Sequence, residues 1–428
     1  MDIQTATMIG FAVAGFFKNE KTGGRIIVGQ DTRISGDMLA HAVTAGICSA
    51  GINVELLGVL PTPAIAHATV ESGSIAGIVI SASHNPFEDN GIKVFDNKGH
   101  KISIEQEERI EELVFRRPNQ VEIPNNVGIA VPKYNIQSTY LKYLKDSISG
   151  IKLSGMLIAL DCAHGATYKI APELFRALGA EVIALNCEPT GTNINAQCGS
   201  QYPQTLSKEV KRHSADIGLA FDGDGDRVIA VDETGTILSG DHLIAICAAD
   251  LQKKKRLKNN IVITTVMSNM GFHNALNRLG IKTVSSAVGD RNVFEAMKAH
   301  DAVLGGEDSG HIIFLDKHTT GDGLLAGLQV IDAMRTGESK LSALAKIITL
   351  FPQVLVNVKV REKIPFADIP EIIAEIKKTE LTLGSQGRVL VRYSGTENLC
   401  RVMVEGPTKG VTNQYAKTIA DVVRRKLG

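Results

Sequence analysis

No tryptophan occurs in this sequence and aromatic residues make up only 5% of it, so it has no ready supply of stacking platforms for bases or long glycans. Neither sign of charge is in excess: 46 basic side chains stand against 46 acidic ones. A nucleic-acid or anionic-membrane binder carries a basic surplus, so neither partner is expected here. Long apolar runs are also missing. The N-terminal "MIGFAVAGFF" is about ten residues, too short to span a bilayer, and it lacks the basic flank of a secretory signal. It reads as a half-buried helix. The six cysteines (Cys48, Cys162, Cys187, Cys198, Cys247 and Cys400) include no C-x-x-C pair, which in a chain this long predicts reduced thiols and a cytoplasmic location.

What is present is the balance of a soluble globular protein: 428 residues, 44% of them hydrophobic and 21% charged. That length predicts roughly two to four domains. One layout occurs three times. Apolar, strand-like segments ending in polar loops stand at "RIIVGQDTRISG" (25–36), "MLIALDCAHGAT" (156–167) and "NIVITTVMSNMG" (260–271). Each leads to a helix-like segment ending in glycine and then to a second strand. A third strand follows and runs into a conspicuous loop: "AGIVISASHNP", "DIGLAFDGDGD" and "DAVLGGEDSGH". Strand, helix, strand alternation predicts mainly parallel sheets covered by helices, with binding loops beyond the carboxyl ends of the strands. The three loops share a slot in the repeat, so they are expected to converge. The remainder, from "LFPQVLVNVKV" onward, reads as a separate α+β module. The predicted domains are 1–140, 141–240, 241–350 and 351–428.

Asp222, Asp224 and Asp226 alternate with glycine between two apolar runs. Crowded carboxylates on a flexible loop call for a hard cation, which cancels their repulsion. They fall at positions one, three and five of an EF-hand pattern, but its obligatory glycine is replaced by Arg227 and the flanks look like strands. A small, open Mg²⁺ site that leaves room for a phosphate fits better, with Arg227 placed to contact the phosphate; an acidic surface turn is the alternative. In the first loop, the hydroxyl of Ser83 would then face the cation, which suggests phosphoryl rather than acyl transfer. In "GGEDSGH", Glu307 and Ser309 can bind the hydroxyls of a polar ligand and His311 can move a proton, although a capped turn explains the same residues. "RYSGTENLCR" offers a nest at Ser394, Gly395 and Thr396 flanked by Arg392 and Arg401, a donor set suited to phosphate; a plain hairpin turn is the competing reading. Two phosphate-competent places with hydroxyl ligands between them call for a phosphorylated polyol.

The loops "SASHNP", "DGDGDR", "GEDSGH" and "RYSGTE", in that order, resemble the α-D-phosphohexomutase family over nearly the whole chain. The resemblance implies three similar α/β/α domains with mixed, mainly parallel sheets and a smaller α+β domain around a central cleft. It implies that Ser83 carries the phosphoryl group and shares Mg²⁺ with Asp222, Asp224 and Asp226. Lys93 and His311 match positions implicated in proton transfer, Glu307 and Ser309 match sugar-hydroxyl ligands, and Arg392, Ser394, Gly395, Thr396 and Arg401 match a phosphate grip. The implied reaction converts glucosamine 6-phosphate to glucosamine 1-phosphate through a bisphosphate intermediate, for UDP-N-acetylglucosamine and cell-wall synthesis. Mannose or glucose phosphates on the same scaffold, a phosphatase, or an impaired sugar-phosphate binder are the alternatives. Family members open with a strand and an "FGTDGIRG"-like loop, and this sequence starts at the helix-like run after it. Asp308, His164 and Asn398 depart from the usual glutamine, asparagine and proline.

Overall fold

A computed structural model describes residues 1–18, 24–115, 126–148, 150, 152–394 and 397–428. Contacts divide the chain into two compact units, Met1–Val266 with Ile281–Lys346, and Met267–Gly280 with Ile347–Gly428.

The first unit holds three sheets. The first is built from β1 (Arg25–Gln30), β2 (Asn53–Val59), β3 (Ala76–Ile80), β4 (Ile92–Asp96) and β5 (Ala130–Pro132). The second contains β6 (Leu157–Asp161), β7 (Glu181–Leu185), β8 (Ile217–Phe221), β9 (Val228–Asp232) and β10 (Ile237–Leu238). The third contains β11 (Ile261–Thr265), β12 (Lys282–Ser286), β13 (Leu304–Gly306) and β14 (Ile312–Phe314). Their spatial orders, β2-β1-β3-β4, β7-β6-β8-β9 and β12-β11-β13-β14, are one pattern used three times. In each, the first three strands are parallel and the fourth returns antiparallel to the third. The central strands are continuous apolar runs, "AGIVI" and "IGLAF" among them, buried along their whole length, as a parallel sheet covered on both faces requires.

This topology decides where chemistry can sit. Each conspicuous loop joins the carboxyl end of a third strand to its antiparallel neighbour, so both ends of the loop are fixed to one sheet. The N-terminal apolar run is helical, spanning Ile3–Lys18, with Ala6, Gly10, Ala12, Val13, Ala14 and Phe17 buried.

In the second unit, β15 (Gln353–Lys359), β16 (Arg388–Tyr393) and β17 (Leu399–Glu405) form an antiparallel sheet in the order β15-β17-β16. Helices Pro370–Leu383 and Lys409–Leu427 share a core with it through Ile372, Leu383, Ile419 and Val423. Helix Met270–Arg278 belongs to this unit. Its Met270 N–H donates to Glu405 (2.9 Å), and the Asn269 side chain donates to the Phe351 carbonyl (3.0 Å). Among the described residues no helix is long and apolar enough to cross a membrane.

Candidate active site

Where β3 ends, the chain turns so that Ser81 Oγ donates to Asp31 Oδ2 (2.7 Å) and the Ser83 N–H donates to Ser81 Oγ (2.9 Å). Ser83 is buried and sits at φ 52°. That left-handed conformation costs a residue with a Cβ about 1–2 kcal/mol, so the surroundings must hold it. From there its Oγ donates to Asp222 Oδ2 at 2.6 Å, with His84 Nδ1 at 3.3 Å from Ser83 Oγ. Burial, then the Arg227 charge, pulls the His84 imidazole down to about 4, so at neutral pH it is uncharged.

The carboxylate loop sits between β8 and β9, so its flanks are strands and the EF-hand alternative falls. Asp222, Asp224 and Asp226 are all buried, and each offers an oxygen within 4.8 Å of the others. Such a cluster is costly unless its charge is offset. Part of the offset comes from Lys93 on β4, whose Nζ reaches Asp224 (2.7 Å) and Asp226 (3.0 Å). Burial alone would lower the Lys93 ammonium, but the pull of Asp224 and Asp226 is larger and raises it. Thr62 adds its hydroxyl to Asp224 Oδ2 (2.5 Å) and its N–H to the Asp224 carbonyl (2.9 Å), while the Arg227 N–H donates to Asp222 Oδ1 (3.1 Å). Burial, then the charges of Asp226 and Asp224, pushes the Asp222 carboxyl up. Oδ1 of Asp224 and Oδ1 of Asp226 remain buried without a donor. Buried acceptors are normally satisfied, and a hard cation is the partner that oxygen ligands in this arrangement accept. The residues therefore fit a metal ion.

The loops meet through backbone. A Cβ on Gly223 would come within 2.6 Å of the Ser83 carbonyl oxygen, so glycine lets the serine and carboxylate loops touch. On the other side, the Val228 N–H donates to the Gly310 carbonyl (3.0 Å), and Arg227 and His311 pair as an isolated bridge. Gly310 is also left-handed, at φ +92°. His311 is thereby buried with Nδ1 at 3.7 Å from Asp226 Oδ1, and its Nε2 has no partner. Glu307 Oε1 accepts from the Gly289 N–H (3.0 Å), and Ser309 lies exposed beside it. The expected convergence of the three loops is present: Ser83, Lys93, Asp222, Asp224, Asp226, Arg227 and His311 form one cluster, with Glu307 and Ser309 on the loop that carries His311.

The C-terminal turn lies in the second unit. Arg392 and Arg401 stand directly opposite one another on β16 and β17. Like charges placed so repel, and an anion between them would relieve the repulsion. Burial, then Arg401, lowers the Arg392 guanidinium. The turn is closed by the Ser394 N–H donating to the Leu399 carbonyl (2.8 Å) and by Lys363 Nζ donating to the Ser394 carbonyl (2.7 Å), while the contacts of Arg401 are long, to Ser394 Oγ at 3.5 Å and Glu397 at 3.4 Å. Gly395 and Thr396 lie outside the described residues.

Thr62, Arg33 and Asn195 also bear on the serine and carboxylate loops and carried no signal of their own in the sequence. Thr62 and Arg33 follow the carboxyl ends of β2 and β1, and that shared position was the available clue.

Comparison with known proteins gives four consecutive family matches. Residues 1–120, 138–235 and 239–351 match phosphoglucomutase/phosphomannomutase alpha/beta/alpha domains I, II and III, and residues 355–422 match the C-terminal domain. Phosphoglucosamine mutase from Syntrophus aciditrophicus (strain SB) is 50% identical over 431 residues, covering 100% of this chain and 96% of that protein. Phosphoglucosamine mutase from Chlamydia caviae is 48% identical over 432 residues, covering 100% and 94%. Among solved structures, a phosphoglucomutase/phosphomannomutase family protein from Burkholderia thailandensis superposes with a TM-score of 0.81 at 22% identity, covering 99% of this chain and 94% of that one. N-acetylphosphoglucosamine mutase from Aspergillus fumigatus, solved with GlcNAc-6P and magnesium, gives 0.67 at 20% identity, covering 85% and 91%. At those identities the structural likeness speaks for the fold alone.

Proposed function

That this chain belongs to the phosphoglucomutase/phosphomannomutase family is the premise from which we propose its reaction: the reversible conversion of glucosamine 6-phosphate to glucosamine 1-phosphate, with Ser83 as the phosphoryl carrier. The product would feed UDP-N-acetylglucosamine and cell-wall synthesis in the cytoplasm. The observation that carries the reading is the Ser83 hydroxyl bonded at 2.6 Å to Asp222 of a buried aspartate trio.

Phosphorylated Ser83 gives its phosphoryl group to the free hydroxyl of the bound monophosphate. The bond from phosphorus to Ser83 Oγ breaks, a new one forms to the sugar oxygen, and a bisphosphate results. His311, through its unpartnered Nε2, takes the hydroxyl proton, and the Lys93 ammonium supplies one to the departing Oγ. After the bisphosphate turns, the same steps run in reverse on its other phosphate and restore phosphoserine. Asp222, Asp224 and Asp226, with an oxygen at Ser83, would hold Mg²⁺, whose charge would neutralise the oxygens of the transferred group. Arg227 would contact those oxygens too. Glu307 and Ser309 orient the sugar hydroxyls, and Arg392, Ser394, Gly395, Thr396 and Arg401 grip the phosphate that is not reacting.

The test is turnover of glucosamine, mannose and glucose 6-phosphates with Mg²⁺ and a hexose bisphosphate activator, alongside peptide mass analysis of Ser83. Glucosamine 6-phosphate should be isomerised fastest by a Ser83-phosphorylated protein. Preference for mannose or glucose would replace the substrate, and free phosphate without isomer would replace the mutase with a phosphatase. No turnover with unmodified Ser83 would leave a sugar-phosphate binder.

A further inference from the structure

Ser83 holds a backbone conformation that disfavours side chains, and something must pay for it. The answer lies behind the loop, on the side away from its hydroxyl's partner. Arg33, just past the end of β1, is buried with its guanidinium on Asp31 (Nε to Oδ2, 2.9 Å). Its remaining nitrogens turn to main-chain oxygens: Nη2 donates to the carbonyls of Ser83 (3.1 Å) and Asn85 (2.8 Å), and Nη1 to that of Pro86. Asn195, from the second repeat, donates its Nδ2 to two of those oxygens, Ser83 (2.9 Å) and Asn85 (3.0 Å). Asn195 is itself left-handed, at φ 59°, and is tied down by its N–H to the Ala163 carbonyl (2.9 Å).

A carbonyl oxygen has two lone pairs, and here both on Ser83 and both on Asn85 are matched by donors from different repeats. Rotating Ser83 back to the right-handed region would swing its carbonyl off Arg33 and Asn195 together and cost each of those buried donors an acceptor. The same seam carries Thr32 Oγ1 to the His164 carbonyl (2.6 Å) and the Ile34 N–H to the Gly191 carbonyl (2.8 Å), so the Arg33 segment is registered against the repeat that bears the aspartates.

We propose that Arg33 and Asn195 are positioning residues that lock Ser83 in its left-handed conformation, so that the rate of phosphoryl transfer depends on them and substrate affinity does not. The inference rests on the reading of Ser83 as phosphoryl carrier. Both side chains bind only main chain and Asp31, so nothing they do should alter how the sugar is held.

Asn195→Ala carries the test, because it removes two donors without uncovering a charge. With glucosamine 6-phosphate, kcat should fall about ten-fold or more while KM stays within about two-fold. Phosphorylation of Ser83 by a hexose 1,6-bisphosphate, followed by intact mass, should slow in parallel. Arg33→Lys keeps the charge beside Asp31 but cannot span three carbonyls, and should lower kcat at least as far. Unchanged kcat in Asn195→Ala, or a raised KM with kcat intact, overturns the proposal whether or not the Arg33 variant folds. If the parent chain isomerises no hexose phosphate, the reaction assignment fails, and the Ser83 phosphorylation rates still judge the clamp. A parent Ser83 that the bisphosphate cannot phosphorylate overturns both.

Discussion

In the proposed reaction the aspartate cluster serves a phosphate through a cation and the C-terminal arginine turn serves one directly, and the charged side chains of the two regions are held differently. Around Asp222, Asp224 and Asp226 the side chains are buried and the hydrogen bonds run from 2.5 to 3.1 Å, with His311 and Arg227 farther off at 3.7 and 3.8 Å from Asp226. At the turn, Arg401 is about one-third exposed and its contacts stretch to 3.4 and 3.5 Å. Bond transfer rewards fixed geometry, since a displaced nucleophile loses rate steeply. A grip that must accept either of two phosphates on a turning bisphosphate gains from looseness. On this view the first region sets kcat and the second sets KM.

The comparison breaks most readily at Ser83. Ser83→Ala should lower turnover by about 10³-fold or more, because it removes the hydroxyl that carries the phosphoryl in the proposed reaction, and substrate binding measured by calorimetry should persist. If turnover survives, the buried region is not the seat of transfer. Stripping divalent ions with a chelator should come next, costing about 10²-fold or more and returning with Mg²⁺. Asp226→Asn should need more Mg²⁺ for half-maximal rate. An activity indifferent to chelation would leave the unpartnered oxygens of Asp224 and Asp226 unexplained. Arg401→Ala should raise KM about ten-fold and change kcat less, through loss of a charge-assisted contact. A collapse of kcat at constant KM would erase the division between the two regions.

The smallest effect concerns a single buried charge that belongs to neither. Asp322 caps helix Gly323–Thr336 by accepting from the Leu325 N–H (2.9 Å), and it accepts the Tyr140 hydroxyl (2.7 Å). Burial, against those two donors, lifts its carboxyl from 3.8 to about 6. The folded chain therefore takes up this proton at higher pH than the unfolded chain does. Ionised Asp322 costs stability above pH 6, and the cost is relieved as pH falls toward 4. Asp322→Asn removes the charge, keeps one acceptor for the Leu325 N–H and turns an amide N–H toward the Tyr140 hydroxyl oxygen, so it should be more stable than the parent at pH 7 by about 1–2 kcal/mol, with the gap in Tm narrowing through pH 5 and closing near pH 4. A gap that is constant or widens on acidification would show that burial does not dominate there.

Much of this arrangement is legible in the residue order because it is repeated. Apolar runs such as "AGIVI" and "IGLAF" stop abruptly at polar residues, and a strand that stops abruptly marks a loop at its carboxyl end. Alternating aspartates advertise their own repulsion. What stays hidden is whatever depends on a meeting far along the chain. Thr62 reaches Asp224 across 162 positions and Asn195 reaches Ser83 across 112, and neither residue differs in kind from an ordinary turn residue. The grouping of helix Met270–Arg278 with the C-terminal module is of the same sort, since its bond to Glu405 spans 135 positions. The left-handed turn at Ser83 is hidden for another reason: serine has no intrinsic leaning toward it, so only the clamp reveals it.

The antiparallel return of each fourth strand has a practical corollary. Because Gly306 and Ile312 are register partners, the five intervening positions can be exchanged as a cassette whose two ends stay anchored. Transplanting that short segment from mutases with other sugar preferences, with His311 kept as it is, should retarget this scaffold while leaving the phosphoryl-handling machinery in place.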